Sequence, residues 1–121
     1  MKRDIDLIRL LLLEAEQESA PEGLSTYSTG HQLYNLELMH DAGLIVATVH
    51  KDGGGVTRTV IIERLTWTGH DFLDATRDSK IWKKAKEHVI KPGVSWTFHT
   101  LLEFLKREIE QRLLGGGSST P

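Results

Sequence analysis

The chain has 121 residues and a mass of 13.6 kDa, with 39% hydrophobic and 26% charged residues, proportions that suit one compact globular domain. It has no cysteine, which excludes disulfides, thiolate metal sites, cysteine nucleophiles and iron–sulfur chemistry. The formal charge of −2 lacks the basic excess usual in nucleic-acid-binding domains, and the longest apolar run, Leu10 to Leu13, falls far short of the roughly 20 residues of a membrane span.

In chain order, the first predicted element is a helix over residues 4 to 18. Ile5, Ile8, Leu11, Leu12 and Ala15 fall within about 120° of arc when each residue turns about 100°. Leu7, Leu10 and Leu13 lie outside that stripe, and burial under a second layer is the plainer account of them than a contact patch of three side chains. Asp4 and Asp6 stand where a secretory leader would carry its apolar stretch, so a soluble, cytoplasmic protein is expected. Ala20-Pro21-Glu22-Gly23 stops the helix, and a short extended piece, Leu24 to Tyr27, is expected next.

A second helix begins near Ser28 or Thr29, where Thr29-Gly30-His31-Gln32 has the side-chain types of a capping box, and stops at Gly43. Leu44 to His50 and Val56 to Arg64 are rich in β-branched residues, with Val56, Val60 and Ile62 on one face. They flank Lys51-Asp52-Gly53-Gly54-Gly55, which reads as the flexible turn of a hairpin. Thr66 supplies the cap of a third helix containing Phe72, Leu73 and Thr76. Helical character then continues through Trp82, Ala85 and Val89 after a break near Asp78-Ser79, and Pro92-Gly93 is a firm stop.

The last helix, Ser95 to Leu114, has the cleanest stripe: Phe98, Leu101, Leu102, Leu105, Ile109 and Leu113. Packing against the first helix is the default use of that stripe, with a homodimer as the alternative. Residues 115 to 121 form a flexible Gly/Ser tail beyond a single domain of residues 1 to 114. Two strands directly after a helix that ends in glycine define an α+β winged helix with a β-hairpin wing and a C-terminal helical extension. Leu24 to Tyr27 could pair with the hairpin as a third strand, and the usual middle helix of a helix-turn-helix is missing or shortened to the segment around Glu22 to Tyr27.

Several motifs carry a family resemblance. Met1-Lys2-Arg3-Asp4, Asp6-Leu7-Ile8-Arg9, Tyr34-Asn35-Leu36-Glu37-Leu38 leading to Asp41-Ala42-Gly43-Leu44-Ile45, and Arg64-Leu65-Thr66-Trp67-Thr68-Gly69-His70-Asp71-Phe72-Leu73-Asp74-Ala75 with Arg77-Asp78 and Ile81-Trp82 resemble a family of small proteins common in phages and prophages. The family is known as domain of unknown function 2513. The resemblance runs through most of residues 1 to 110 and implies a winged helix in a phage-associated setting, inside a bacterial host. It implies no activity and carries no catalytic residue. Gly30 and His31 depart from its pattern, which favours acidic residues there, and Asn35 stands where the pattern has a histidine.

Six histidines are the candidate metal ligands, yet no pair has i, i+4 spacing and none forms a His-Glu-x-x-His motif. His70, Asp71, Asp74 and Asp78 form an acidic group into which Arg77 intrudes, and a solvated helix face explains it without an ion. Serines and threonines fall at caps and turns, there is no Gly-x-Ser-x-Gly elbow, and the glycines at 53 to 55 are followed by neither Lys-Ser/Thr nor a helix. No catalytic residue, metal or cofactor is assigned, and the protein is expected to act by binding.

Charge is uneven along the chain. Residues 1 to 43 carry a net −5, residues 44 to 78 carry −1 and residues 79 to 121 carry +4. In the usual docking of a winged helix, the helix before the wing presents Arg, Lys, Asn or Gln to bases in the major groove. Here that helix has no Lys or Arg. With Leu36, Leu38, Met39 and Ala42 facing the core, its outer face is Gly30, Leu33, Glu37, His40 and Asp41.

Leu33, Glu37, His40 and Asp41 are therefore the protein-binding candidates, complementary in charge to a partner from host, phage or a second copy. The DNA alternative rests on the hairpin cations Lys51, Arg58 and Arg64 with Lys80, Lys83, Lys84 and Lys86, which can follow a phosphate backbone. The plainer account of those lysines is a solubilising face around Ile81, Trp82, Ala85 and Val89. Trp67, Trp82 and Trp96 are expected in the core rather than as base-stacking platforms.

Overall fold

The computed structural model describes residues 2–91 and 95–116. Among them are five α-helices and one two-stranded antiparallel sheet, an α+β architecture. The chain divides into two compact units, Met1–Leu73 and Asp74–Pro121.

The first unit opens with α1 (Ile5–Gln17). Asp4 caps it, its carboxylate accepting the Leu7 N–H at 3.1 Å, as expected of an acidic group at a helix N-terminus. Ile5, Leu7, Ile8, Leu11 and Leu12 are buried, so Leu7 joins the core from outside the predicted stripe, whereas Leu10 and Leu13 are half-buried. The helix ends at Gln17, three residues before Ala20, and is closed by Glu18, which adopts a left-handed φ of 58°. Pro21 is not the stop.

Leu24–Thr26 forms a single 3₁₀ turn, not an extended strand. Gly23 takes φ 91°, the Leu24 and Tyr27 N–H groups bond back to the carbonyls of Pro21 and Leu24, and Leu24 is buried beneath the turn. Those backbone groups are spent locally and cannot pair with a strand, so the sheet has two strands. Helix α2 (Thr29–Asp41) is capped by Ser28, whose hydroxyl accepts the His31 N–H. The expected Thr29–Gln32 box is not formed, because Gln32 donates backwards to the carbonyls of Leu24 and Tyr27. At the other end Gly43 (φ 77°) bonds to the His40 carbonyl and Leu44 to that of Met39, the paired arrangement that lets a left-handed glycine close a helix.

Strands β1 (Ile45–Lys51) and β2 (Thr57–Leu65) pair antiparallel, with register shifts between Val46 and Ala47 and between His50 and Lys51. The shifts leave Glu63 and Arg58 as extra residues on β2, and each such bulge breaks the two-residue alternation. Val56 accordingly does not share the half-buried face of Val60 and Ile62 and is exposed.

The hairpin tip is held by one side chain. Asp52 accepts the N–H groups of Gly54 and Val56 at 2.8 and 3.0 Å and pairs with Arg58 at 2.7 Å. The turn expected to be flexible is therefore cross-linked by hydrogen bonds. In this unit α1 packs on α2 and β2, and α2 packs on both strands, around Met39, Leu44, Ile45 and Leu65.

Helix α3 (Trp67–Arg77) begins with Thr66 as cap, its hydroxyl accepting the Gly69 N–H at 3.0 Å and donating to the Gly43 carbonyl at 2.6 Å. Gly69 lies so close to Leu44 that a β-carbon would collide with the Leu44 carbonyl oxygen. Only glycine permits that approach. With Leu65, Phe72 and Leu73 buried, every part of the Leu-Thr-x-x-Gly-x-x-Phe-Leu motif has a packing reason.

In the second unit, Asp78 separates α3 from α4 (Ser79–His88) by accepting the N–H groups of Lys80 and Ile81. Helix α5 (Phe98–Gln111) is capped by Thr97 and continues into a π-helical turn, Arg112–Gly116. Ile81, Trp82, Ala85 and Val89 of α4 and the segment after it, together with Leu101 and Leu105 of α5, are buried, and α4 packs on α5. The predicted stripe loses its last member: Leu113 is 74% exposed. The stop at Pro92-Gly93 and the tail from residue 117 onward lie outside the described residues. No helix among the described residues is long and apolar enough to cross a membrane.

Candidate functional site

The outer face of α2 is fastened to the hairpin at its middle. Glu37 accepts a hydrogen bond from the Thr57 hydroxyl, which fastens the middle of the helix to the start of β2. Above that contact lies a cleft of about 380 Å³ lined by Gly30, Leu33, Tyr34 and Glu37 from α2 and by Val56, Thr57 and Arg58 from the hairpin. Tyr34 and Val56 are 39% and 51% exposed, so the wall of the cleft is apolar and open to solvent.

Of the predicted protein-binding residues, Leu33 and Glu37 belong to this cleft, while His40 and Asp41 are exposed further along α2. Leu36 and Leu38 are only half-buried, and Ala42 is exposed rather than core-facing. Tyr34, Val56 and Thr57 were not foreseen as part of the site. Tyr34 lies beside Leu33 and one turn beyond Gly30, which is a usable signal; Val56 and Thr57 arrive only through the hairpin register.

The cations foreseen for DNA are largely engaged. Arg58 is held by Asp52, Arg64 donates to the Leu65 carbonyl at 3.3 Å, Lys84 pairs with Glu108 at 2.8 Å, and the Lys86 ammonium lies 6.0 Å from the Trp82 ring centre. Lys51, Lys80 and Lys83 are exposed. The hairpin cations belong to the first unit and the α4 lysines to the second. Trp82 is buried as expected, Trp96 is half-buried, and Trp67 is 83% exposed, contrary to its expected place in the core. It begins α3 at the end fastened by Thr66, where its neighbours Leu65 and Gly69 take the inward positions.

Asn35, on the inner side of α2, is fully buried. Its oxygen accepts the Asp4 N–H at 2.8 Å, and its amide donates to the carbonyls of Lys2 and His31. His31 in turn lies 3.3 Å from the Asp4 carboxylate. Two of the three departures from the family pattern thus tie the chain's start to α2. The Tyr27 hydroxyl, whose ring lies 5.9 Å from that of His31, has its pKa pushed above 10.0 by burial and by the nearby carboxylates of Asp4 and Asp6.

At the hairpin tip, Asp52 is held below its usual 3.8 by the Val56 N–H, the Arg58 guanidinium and the Gly54 N–H. Asp78 is lowered chiefly by the Ile81 N–H, with Arg112 and Lys80 adding to it. The Asp71, Asp74 and Asp78 group does not form a pocket for a cation: Asp74 pairs with Arg77 and Asp78 with Arg112, and no group of three acidic or imidazole side chains among the described residues converges on a point.

A small α+β chain with an apolar cleft between a helix and a hairpin defines a class by shape. The family described as hypothetical protein (DUF2513) matches residues 2–95, and the chain belongs to it. An uncharacterized protein of Haemophilus influenzae is 30% identical over 120 residues, covering 93% of this chain and 99% of its own. No solved structure matches.

Proposed function

We propose that the chain is a winged-helix module that acts by binding a protein, with the β1–β2 hairpin as its wing and α2 as the helix before it. The observation that carries this reading is the seam between them. A helix that reads DNA needs its outer face free and furnished with donors to base edges, whereas here Glu37 is bonded to Thr57 and the face offers Leu33, Tyr34 and two carboxylates. An apolar floor of Leu33, Tyr34 and Val56, with Glu37 and Arg58 at its edge, accepts an apolar anchor residue of a partner protein.

The 3₁₀ turn at Leu24–Thr26 occupies the place of a shortened middle helix. The resemblance of the motifs to phage proteins supports reading the partner as a host or defence factor met in the cytoplasm of a bacterial host. Binding, with no chemical step, is the proposed mode of action.

The test is affinity capture from host cells with the wild-type chain and a Leu33→Glu variant, alongside a salt-titrated shift assay on random duplex DNA. A protein retained by the wild type and lost with Leu33→Glu is the expected result. Tight DNA binding with a steep salt dependence, abolished by Lys80→Ala with Lys83→Ala, overturns the reading.

A further inference from the structure

A second groove, of about 350 Å³, opens in the first unit where the end of α1 and the middle of α2 meet β2, and it shares no residue with the α2–hairpin cleft. The apolar part of its wall is Ala15, Leu36, Val60 and Ile62, all half-buried. The charged part is Glu14 and Glu18 from α1 with Glu63 and Arg64 from β2. In unbroken strand alternation Glu63 would face away from Ile62. As the extra residue of a bulge it lines the same groove.

Three carboxylates against one guanidinium leave this lining with an excess of negative charge. Arg64 is exposed and does not cancel it by pairing: its guanidinium donates to the Leu65 carbonyl at 3.3 Å. The side chains of Glu14, Glu18 and Glu63 form no hydrogen bond or ion pair among the described residues. The helix end adds to the field. A helix C-terminus favours cations, yet the last turn of α1 has no basic residue, and Glu14 and Glu18 stand there instead.

The chemistry that satisfies both parts of the wall is an amphipathic cation. A lysine side chain lays its methylene stem along apolar surface and carries an ammonium group at the tip. A bare metal ion leaves Leu36, Val60 and Ile62 unused, and an apolar anchor takes water from the carboxylates without pairing them. We infer that this groove holds a lysine side chain presented by a partner protein, its stem on Ala15, Leu36, Val60 and Ile62 and its ammonium among Glu14, Glu18 and Glu63. The inference does not depend on what the α2–hairpin cleft binds.

The test is an NMR titration of the isotope-labelled full chain with a short Gly/Ser peptide carrying one lysine. Two relatives of the peptide separate stem from charge: norleucine in place of lysine keeps the stem alone, and diaminobutyrate keeps the charge on a stem two methylenes shorter. The expected result is saturable, salt-sensitive shifts at the amides of Ala15, Leu36 and Ile62. Binding is expected to be lost with norleucine and weakened about fivefold with diaminobutyrate. Glu14→Gln with Glu63→Gln is expected to weaken the lysine peptide about tenfold, and Arg64→Gln to tighten it about threefold. Equal binding of the lysine and norleucine peptides, or no effect of the paired glutamine substitutions, overturns the inference. So does weaker binding in Arg64→Gln, or salt-sensitive self-association of the chain that Lys83→Ala abolishes, which names a second copy as the occupant. The Arg64→Gln arm reads a gain of affinity, which a variant that fails to fold cannot imitate.

Discussion

Residues 1–73 hold six basic and eleven acidic side chains, and residues 74–121 hold nine and six. The acidic part displays Tyr34, Val56, Ile61 and Trp67 to solvent, while in the basic part the exposed large apolar side chains among the described residues are Leu113 and Leu114. Their polar bonds differ as well. In the first unit the bonds between distant residues have neutral donors, joining Asn35 to Lys2 and Asp4, Thr66 to Gly43 and Thr57 to Glu37. In the second, Asp78 and Thr97 cap the helices they precede, and the cross-helix links are solvent-facing ion pairs. Positive charge is thus concentrated in the second unit while most of the exposed large apolar side chains among the described residues lie in the first, an asymmetry that the modest net charge conceals.

That contrast predicts where substitutions hurt. Gly69→Ala drives a methyl group into the Leu44 backbone and is expected to cost about 3 kcal/mol in urea unfolding, the largest effect of a single methyl here. Next comes Asn35→Ala, which leaves the part-buried Asp4 N–H without its partner and is expected to cost about 2 kcal/mol in the same measurement.

The hairpin tip responds to acid with a definite sign. Because the Asp52 carboxyl is held below 3.8 in the folded chain, its contribution is fully present above that value and is lost as the pH falls through the lower folded value. Amide exchange at Gly54 and Val56 is expected to quicken in that range, and Asp52→Asn is expected to remove the pH dependence. In the basic unit, Lys84→Ala breaks an ion pair whose lysine is 49% exposed, and a loss under about 0.5 kcal/mol is expected. Glu18→Gly has the opposite sign. It relieves the left-handed backbone at the end of α1 and is expected to stabilise by under about 1 kcal/mol. A Lys84→Ala effect as large as that of Asn35→Ala would erase the contrast between the two units.

Much of the architecture was legible from local pattern. The spans of α1, α2 and the hairpin, the glycine stop at Gly43, the cap at Thr66 and the break at Asp78 follow from periodicity and from residues whose backbone preferences are strong. Misreadings arose where one residue changed the rule for its neighbours. Gly23 turned an expected strand into a 3₁₀ turn, and the bulge at Arg58 put Val56 on a different face. A tryptophan that composition sends inward stands in water because Leu65 and Phe72 fill the inward positions on either side of it.

The candidate site was half visible. Leu33 and Glu37 were read from the helical wheel, and the poverty of positive charge on α2 is a fact of composition alone. The cleft itself was not visible, since it needs Val56 and Thr57 from a strand some 20 residues away.

By itself, the sequence determined what each segment forms and which charges and apolar groups it carries, because helix periodicity, caps and turn residues act over a few positions. Only the tertiary structure decided which of those groups are spent and which are free. Arg58 and Lys84 are taken by carboxylates, Asn35 by the backbone of the chain's start, and Trp67 by nothing among the described residues. That division depends on contacts between residues far apart in the chain, which no local pattern encodes.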